Sequence, residues 1–231
     1  MASFPITPRN RIRQYPQRAR YDRTTIYAIL DASFLAHVAY VRDGNPVLIP
    51  MLYARRGDAL LMHGSPKSGL MQHLAAGGEV AVAVTLLDAL VVTKAVADLS
   101  VNYRSVVVFG RGRLLPEEEK LAALRVLTER IVPGHWRDDN APLAEDLAAV
   151  AVAEIPIELA SAKVREMPPD DRPAFRDAAV WAGLIPIRTI FGPPQAAPYT
   201  GAERPPEALR QLYGLPNPYR GDDTHHHASR V

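Results

Sequence analysis

Two serines and one lysine lie close together in a short loop of small residues, a combination that can bind phosphate. The stretch HGSPKSGLMQHL covers residues 63–74 and contains Ser65, Lys67 and Ser68. Two hydroxyls and one ammonium donate hydrogen bonds to phosphate oxygens, and backbone amides at the start of a following helix add further donors. An ordinary solvated loop has the same composition, so the loop alone leaves both interpretations open.

The loop does not have the full pattern of a nucleoside-triphosphate P-loop. Gly64 and Gly69 have the spacing of the first half of that motif. Leu70 and Met71 then follow where the motif requires a lysine and a magnesium-binding hydroxyl. A P-loop ATPase is therefore disfavoured.

A second polar group, Asn102-Tyr103-Arg104-Ser105, opens an apolar stretch of strand length. Arg104 offers the second positive charge that a phosphate dianion attracts. An arginine at the rim of a barrel in an ion pair would look the same in sequence.

Composition excludes several classes of protein. The chain has 231 residues, is 48% hydrophobic, carries a net charge of +2 and contains no cysteine. Disulfides and cysteine chemistry are excluded, and the modest charge favours no nucleic-acid partner in spite of the arginines near the N-terminus. Without a signal-type or membrane-length apolar segment, we expect a soluble, cytoplasmic protein with no membrane partner. His225-His226-His227 are typical of a polar tail, so we expect no metal site there.

The pattern along the chain predicts strands with few helices. Asp22 is placed to cap a helix over Arg23–Asp31, and Gly69–Ala76 predicts a second short helix. Pro116 marks the start of a third. The predicted strands are Phe34–Val41, Pro46–Tyr53, Ala59–His63, Val80–Leu86, Leu90–Val96, Tyr103–Leu114 and Ala148–Leu159. We expect a mainly β fold built as a small antiparallel barrel.

Three regions follow from composition. Residues 1–21 form a basic N-terminal arm without periodicity, residues 22–190 contain the predicted barrel, and residues 191–231 form a proline-rich tail.

Several ordered blocks together resemble the pyridoxamine 5′-phosphate oxidase-like flavoproteins. The resemblance is to the branch of flavin-nucleotide-binding proteins related to nitroimidazole-resistance proteins. It runs from about residue 11 to about residue 187. The blocks are RARYDRTTIYAILD at 18–31, HVAYVRDGNPVLIPMLYARRGDALLMHGSPKSG at 37–69, TLLDALVV at 85–92, NYRSVVVFGRGRL at 102–114, VPGHW at 132–136, PIELASAKVREMPP at 156–169 and VWAGLIPI at 180–187.

The resemblance implies an antiparallel FMN-binding split β-barrel that works as a homodimer, with FMN in the groove between subunits. It implies that the loop serines and Lys67 hold the FMN phosphate, and that the strand from Ile49 to Tyr53 runs along the isoalloxazine ring and ribityl chain through backbone groups. Late segments would enter the site from the partner subunit. The implied cofactor-binding residues are Pro50, Met51, Leu52, Tyr53, Met62, His63, Ser65, Lys67, Ser68, Arg104, Ser105, Ser161, Lys163, Arg165 and Trp181.

The chain departs from its relatives at two places. Relatives usually carry an arginine at the position of Gly69, and here Lys67 is the nearby cation that can take its place. Relatives of this branch also tend to have a histidine pair where this chain has Asp98 and Leu99. We therefore place Asp98 in the substrate pocket, where a carboxylate would favour a cationic or amine-bearing substrate.

The expected function is that of an FMN-dependent oxidoreductase acting on a small organic molecule, with NAD(P)H as a possible electron donor. The sequence identifies no side chain as a catalytic acid or base. We therefore expect the flavin to supply the redox chemistry. Two alternatives stay open: a flavin- or haem-binding protein without turnover, and a reductase that uses the deazaflavin F420 on the same fold.

Overall fold

The computed structural model describes residues 2–201 and 207–208. Four α-helices lie within them: α1 (Arg23–Asp31), α2 (Gly69–Ala75), α3 (Glu117–Ile131) and α4 (Ala144–Ala149). The strands are β1 (Ala19–Arg20), β2 (Leu35–Arg42), β3 (Asn45–Leu52), β4 (Ala54–Arg56), β5 (Ala59–Gly64), β6 (Glu79–Val92), β7 (Ser100–Arg111), β8 (Arg113–Leu114), β9 (Ala151–Pro156), β10 (Leu159–Arg165) and β11 (Gly183–Pro186). None of these helices is long and apolar enough to cross a membrane.

Two antiparallel sheets form the barrel. The large sheet has the order β1-β10-β7-β6-β2-β3, and β11 pairs with the far half of β6. The small sheet has the order β4-β5-β9-β8. The predicted mainly β, antiparallel split-barrel fold is confirmed.

The chain makes three direct crossings between the two sheets, in addition to the passage from β5 to β6 through α2. β3 leads into β4 through Tyr53, β7 leads into β8 through Gly112, and β9 leads into β10 through Ile157 and Glu158. Each crossing joins adjacent strands with almost no intervening loop, so the sheets close around one interior. The largest cluster of buried apolar side chains fills that interior.

Helix α1 begins where the sequence predicts. The Asp22 carboxylate accepts a hydrogen bond from the Thr25 amide at 2.8 Å, which satisfies one free N–H of the first turn. This bond lowers the pKa of Asp22. The face formed by Ile26, Ile29 and Leu30 is buried in the barrel interior.

Helix α3 covers the outer face of the small sheet. Ala123 and Leu127 are buried there against Leu61 and Val152. Leu124 packs against the same cluster, whereas Leu121 is exposed. Since α3 covers one face and the barrel interior the other, β9 is buried on both sides apart from the half-buried Glu154 and the exposed Pro156.

Two predicted boundaries were wrong. Val80–Leu86 and Leu90–Val96 are not a pair of strands about a turn; they belong mainly to β6, and register shifts between Leu87 and Ala89. Asp88 is the extra residue of this bulge. Arg104 on β7 holds it with two hydrogen bonds of 2.8 and 3.1 Å to its carboxylate.

The second wrong boundary is the last predicted strand. The stretch 148–159 contains the end of α4, the whole of β9 and the first residue of β10, because the chain changes sheets after Pro156. β10 then continues to Arg165 beside β7.

Residues 2–20, expected as a basic arm, lie on the barrel. Phe4 is buried, and the Asn10 side-chain amide donates to the carbonyl of Ala160 at 3.0 Å. Arg9 pairs with Glu79 and lies over the ring of Phe109 at 4.6 Å. The N-terminal segment thus contributes to the packing of the large sheet. The domain boundaries stay a prediction, and most of the tail lies outside the described residues, as do His225 to His227.

Close backbone packing at Gly110 yields a stability prediction. A Cβ added there would lie 2.1 Å from the Pro156 carbonyl oxygen, so Gly110→Ala must push β7 away from the β9–β10 crossing. We expect a loss of about 1–3 kcal/mol in the free energy of unfolding, measured by chemical denaturation. Gly192→Ala is the control, because a Cβ there meets nothing within 4 Å. Equal stability of the two variants would contradict the packing described.

Candidate functional site

The phosphate-type loop joins β5 to α2 at one end of the barrel. Ser68 caps α2, since its hydroxyl accepts a hydrogen bond from the Met71 amide at 3.3 Å. The Lys67 amide donates to the Ser65 hydroxyl oxygen at 3.2 Å. Ser65 and Lys67 are exposed, and both serine hydroxyls keep a proton that can be donated to an anion.

The side chain of Lys67 is exposed and positively charged. Its ammonium makes no ion pair or hydrogen bond with any residue that the structure describes. A surface lysine with no carboxylate partner, between two serines, is an available donor for an anionic ligand.

Strand β3 lies beside this loop. A Cβ on Gly64 would lie 4.0 Å from the terminal methyl of Met51, which places the end of β5 next to β3. β3 pairs with β2 on one side and, among the described strands, with none on the other. Its outer edge therefore presents backbone groups near the loop, with Pro50 and Leu52 on the outer sheet face.

Two predicted site residues point into the core. Tyr53 is fully buried, its hydroxyl donates to the Leu30 carbonyl, and burial raises its pKa. Met62 is also fully buried. A ligand at the surface can meet only the backbone of these two residues, and the Tyr53 amide is already bonded to the Phe34 carbonyl at 2.9 Å.

His63 is half-buried at the end of β5. Burial lowers its pKa, so the ring is neutral near pH 7. Its Nδ1 is buried and makes no hydrogen bond with the described residues. An unpaired ring nitrogen beside the loop costs about 1–3 kcal/mol unless a ligand or water satisfies it.

The remaining predicted residues lie on the far side of the large sheet. Ser105 is opposite Lys163 in register, and Ser161, Lys163 and Arg165 alternate along β10 on one face. From β3 the curved sheet has three inter-strand steps to β7 and four to β10, which at about 4.8 Å each is roughly 14 Å and 19 Å measured along the sheet. Within one chain the two groups therefore lie on well-separated strands.

Each cation of this second group has its own surroundings. Arg104 binds the Asp88 carboxylate, so its charge is compensated. Lys163 lies 5.7 Å from the ring centroid of Tyr15. The Arg165 guanidinium donates to the Asn102 side-chain oxygen, and burial, together with the nearby Arg18 charge, lowers its pKa.

Asp98 lies between β6 and β7, and Trp181 lies just before β11. Asp98 accepts a hydrogen bond from Arg172 at 2.8 Å, which compensates the negative charge expected to attract a cationic substrate. Trp181 is 60% exposed just before β11. The assignments of Asp98 to the substrate pocket and of Trp181 to cofactor binding stay predictions.

Sequence reasoning missed a groove on the other side of α2. It has a volume of about 750 Å³ and lies between β2, the start of β3 and the start of β6. Its apolar walls include Ala39, Val41, Leu48 and Ala81, and the ring of His73 reaches it.

The orientation of His73 is fixed by its neighbours. Its Nε2 lies 3.0 Å from the Glu79 carbonyl oxygen, and its ring lies 4.8 Å from that of Tyr40. Because a carbonyl oxygen only accepts, Nε2 carries the proton and Nδ1 keeps the lone pair. The spacing of His73 in the HGSPKSGLMQHL stretch does not reveal this.

Burial of His63 predicts a pH dependence. Its pKa is lower in the folded state than its ordinary 6.5, so the unfolded chain binds the proton more tightly. We expect the free energy of unfolding to fall as pH drops below about 6.5, and to fall less in His63→Gln. Denaturation at pH 7.5 and 5.5 measures this, with His135→Gln as the control. Identical pH slopes for wild type and His63→Gln would contradict the effect of burial.

Comparison with known proteins now adds to this geometry. The family model of pyridoxamine 5′-phosphate oxidase matches residues 22–164. No curated protein matches the chain significantly.

Two solved structures resemble it over most of its length. The FAD and haem binding protein from Mycobacterium smegmatis is 36% identical, with a TM-score of 0.80 over 85% of this chain and 98% of that one. The flavocytochrome Anf3 from Azotobacter vinelandii is 36% identical, with a TM-score of 0.82 over 89% and 96%.

A third structure shares the fold at lower identity. It is provisionally named a 5-nitroimidazole antibiotic resistance protein, from Bacteroides thetaiotaomicron, and is 22% identical with a TM-score of 0.54 over 63% of this chain and 86% of that one. Together, the family match over more than half of the sequence and the two longer alignments show that this chain belongs to the pyridoxamine 5′-phosphate oxidase family.

Proposed function

We propose that two copies of this chain bind a flavin nucleotide between them and use it as an oxidoreductase. One observation carries the proposal: the unpaired Lys67, with Ser65 and Ser68, lies beside the open edge of β3. An anionic group bound at the loop would leave an attached planar ring within reach of that edge. Both 36%-identical relatives are described as flavin proteins, one as an FAD and haem binding protein and one as a flavocytochrome.

The loop accommodates the phosphate that FMN and FAD have in common. FMN is the smallest of the candidate cofactors that carry this phosphate, and the Mycobacterium smegmatis relative supports FAD. F420 also carries a phosphate, so the loop chemistry alone does not separate the three. Mass spectrometry of the ligand released from purified protein separates them directly.

A homodimer is supported by the distance between the two groups of predicted residues. Because β10 is four strands from β3 along the sheet, the proposal brings Lys163 and Arg165 to the flavin from the partner subunit. The outer face of the large sheet also exposes many large apolar side chains, which favours burial against a second copy. These are Leu35, Val41, Leu48, Leu52 and Leu87.

When bound, the flavin would accept and pass on a hydride or electrons, with NAD(P)H as the proposed donor. The chain's own residues would bind and orient it. Lys67 and the loop hydroxyls hold the phosphate, and β3 supports the ring through backbone groups. A neutral His63 at the same end offers a ring nitrogen for a hydrogen bond.

Haem is a second candidate ligand, supported by the groove as well as by the relatives. A planar apolar group needs apolar walls and an axial ligand such as a neutral histidine. The groove has such walls, and His73 lines it with Nε2 bonded to a backbone carbonyl, as is usual for a histidine that coordinates metal.

Removing the Lys67 charge should weaken flavin binding. We expect Lys67→Ala to raise the Kd for FMN and for FAD by about 10- to 100-fold, the equivalent of one charge-assisted hydrogen bond. For riboflavin, which has no phosphate, the Kd should rise by less than twofold. Fluorescence titration of the cofactor-free protein measures all three, with Lys67→Arg and Arg137→Ala as controls. Unchanged affinity for FMN and FAD in Lys67→Ala would exclude the loop as the phosphate site.

Turnover distinguishes an enzyme from a binding protein. We expect the flavin-loaded protein to oxidise NADPH or NADH in the presence of an electron acceptor, followed by absorbance at 340 nm. A loaded protein that consumes neither would support storage or sensing instead.

For haem, we expect a Soret band when haemin is titrated into the protein and a shifted or weakened band in His73→Ala. His135→Ala is the matched control because His135 does not line the groove. A spectrum of His73→Ala identical to wild type would exclude His73 as the ligand.

A further inference from the structure

Position 69 holds a glycine where the family resemblance leads us to expect an arginine. The backbone does not require a glycine there, because Gly69 opens α2 and has no positive φ. The space beside Gly69 is instead occupied by two side chains. A Cβ on Gly69 would lie 2.4 Å from Nη1 of Arg42 and 3.0 Å from the hydroxyl of Tyr40. Side chains of β2 therefore fill the place where a side chain at 69 would begin.

Arg42 brings a positive charge to the loop from a different strand. It is the last residue of β2, 27 positions before Gly69, and its guanidinium lies directly against the first turn of α2. Ser68 and Lys67 immediately precede that turn. The result is a second cation at the end of the barrel where Lys67 lies.

No carboxylate in the part of the chain that the structure describes pairs with this guanidinium. Most arginines of the described chain bind a carboxylate, as Arg55 binds Asp31 and Arg56 binds Glu154. Arg42 makes no ion pair or hydrogen bond with the residues that the structure describes. Asp43 follows it in the β2–β3 turn and does not pair with it either. A guanidinium has five donors, and here they are left for a ligand.

We propose that Arg42 is a phosphate-binding residue of the flavin site and takes the place of the arginine absent at position 69. The inference rests on the proposed function. Arg42 and Lys67 then supply two positive charges for one phosphate, with Ser65 and Ser68 as neutral donors. A planar guanidinium binds two phosphate oxygens at once, which a lysine cannot do.

The glycine at 69 and the arginine at 42 share one space. A Cβ at 69 would meet the far end of the flexible Arg42 side chain, so a side chain there requires Arg42 to move aside. Removing Arg42 opens the space, and Gly69→Arg then restores the charge from the helix. This reciprocity distinguishes a binding role from a role in packing.

The test uses the full-length chain freed of cofactor and measures Kd for FMN, FAD and riboflavin. We expect Arg42→Ala to raise the Kd for FMN and FAD by about 10- to 100-fold and the Kd for riboflavin by less than twofold. The double variant Arg42→Ala with Gly69→Arg should return to within about fivefold of wild type. Arg42→Lys, which keeps the charge, should lie between the two. Arg137→Ala, remote from the loop and exposed, should bind as wild type does.

Three results would overturn the inference: unchanged FMN and FAD affinity in Arg42→Ala, equal losses for FMN and riboflavin, or no recovery in the double variant. Failure of the proposed function has a different signature. In that case wild type itself binds neither FMN nor FAD, and the inference falls with it. Thermal unfolding of each cofactor-free variant shows whether a lost affinity comes from a lost fold. If Arg42→Ala does not fold, the Kd values of Arg42→Lys for FMN and riboflavin test the inference instead.

Discussion

The close contact between β7 and the β9–β10 crossing is the constraint on which the barrel depends. Gly110 lies against the Pro156 carbonyl, where no side chain fits. Two residues later, Gly112 lies against the side chain of Leu74 in α2 as the chain enters the small sheet. These contacts hold the two sheets and α2 together at the end of the barrel, and α2 in turn fixes the loop that precedes it.

Because of that arrangement, the candidate site combines parts with different burial. Ser65 and Lys67 are exposed, whereas residues on either side of the loop are packed in the core. Met62 and Met71 are fully buried. A ligand at this loop would be held by flexible donors on a fixed base, so little of the core would have to reorganise upon binding.

The sequence predicted those elements whose signals are local. The Asp22 cap, the short helix α2 and the loop serines each depend on residues within a few positions of one another. The bulge at Asp88 was missed because Leu87-Asp88-Ala89 looks like a turn locally, and only its pairing with Arg104 shows otherwise. The change of sheet after Pro156 was missed because apolar residues continue on both sides of it.

The same distinction applies to the site. Lys67 could be found from its neighbours, but Arg42 could not, because three further strands, β3, β4 and β5, separate it from Gly69. Tyr53 and Met62 were expected at the flavin, and the structure shows that their side chains belong to the core. Alternation along a strand sets which residues face outward, and an edge strand such as β3 carries both kinds.

The bulge at Asp88 divides β6 into two halves with different partners on the same edge. The first half pairs with β2 and the second with β11, whose register runs from Gly183 to Pro186. The Ile187 amide closes this pairing by bonding to the Asp88 carbonyl at 2.9 Å. A chain shortened before Gly183 would leave four residues of β6 with unpaired backbone groups beside apolar side chains, a template for strand addition between molecules. β11 thus completes the sheet and covers an edge of β6 at which a second molecule could otherwise add a strand.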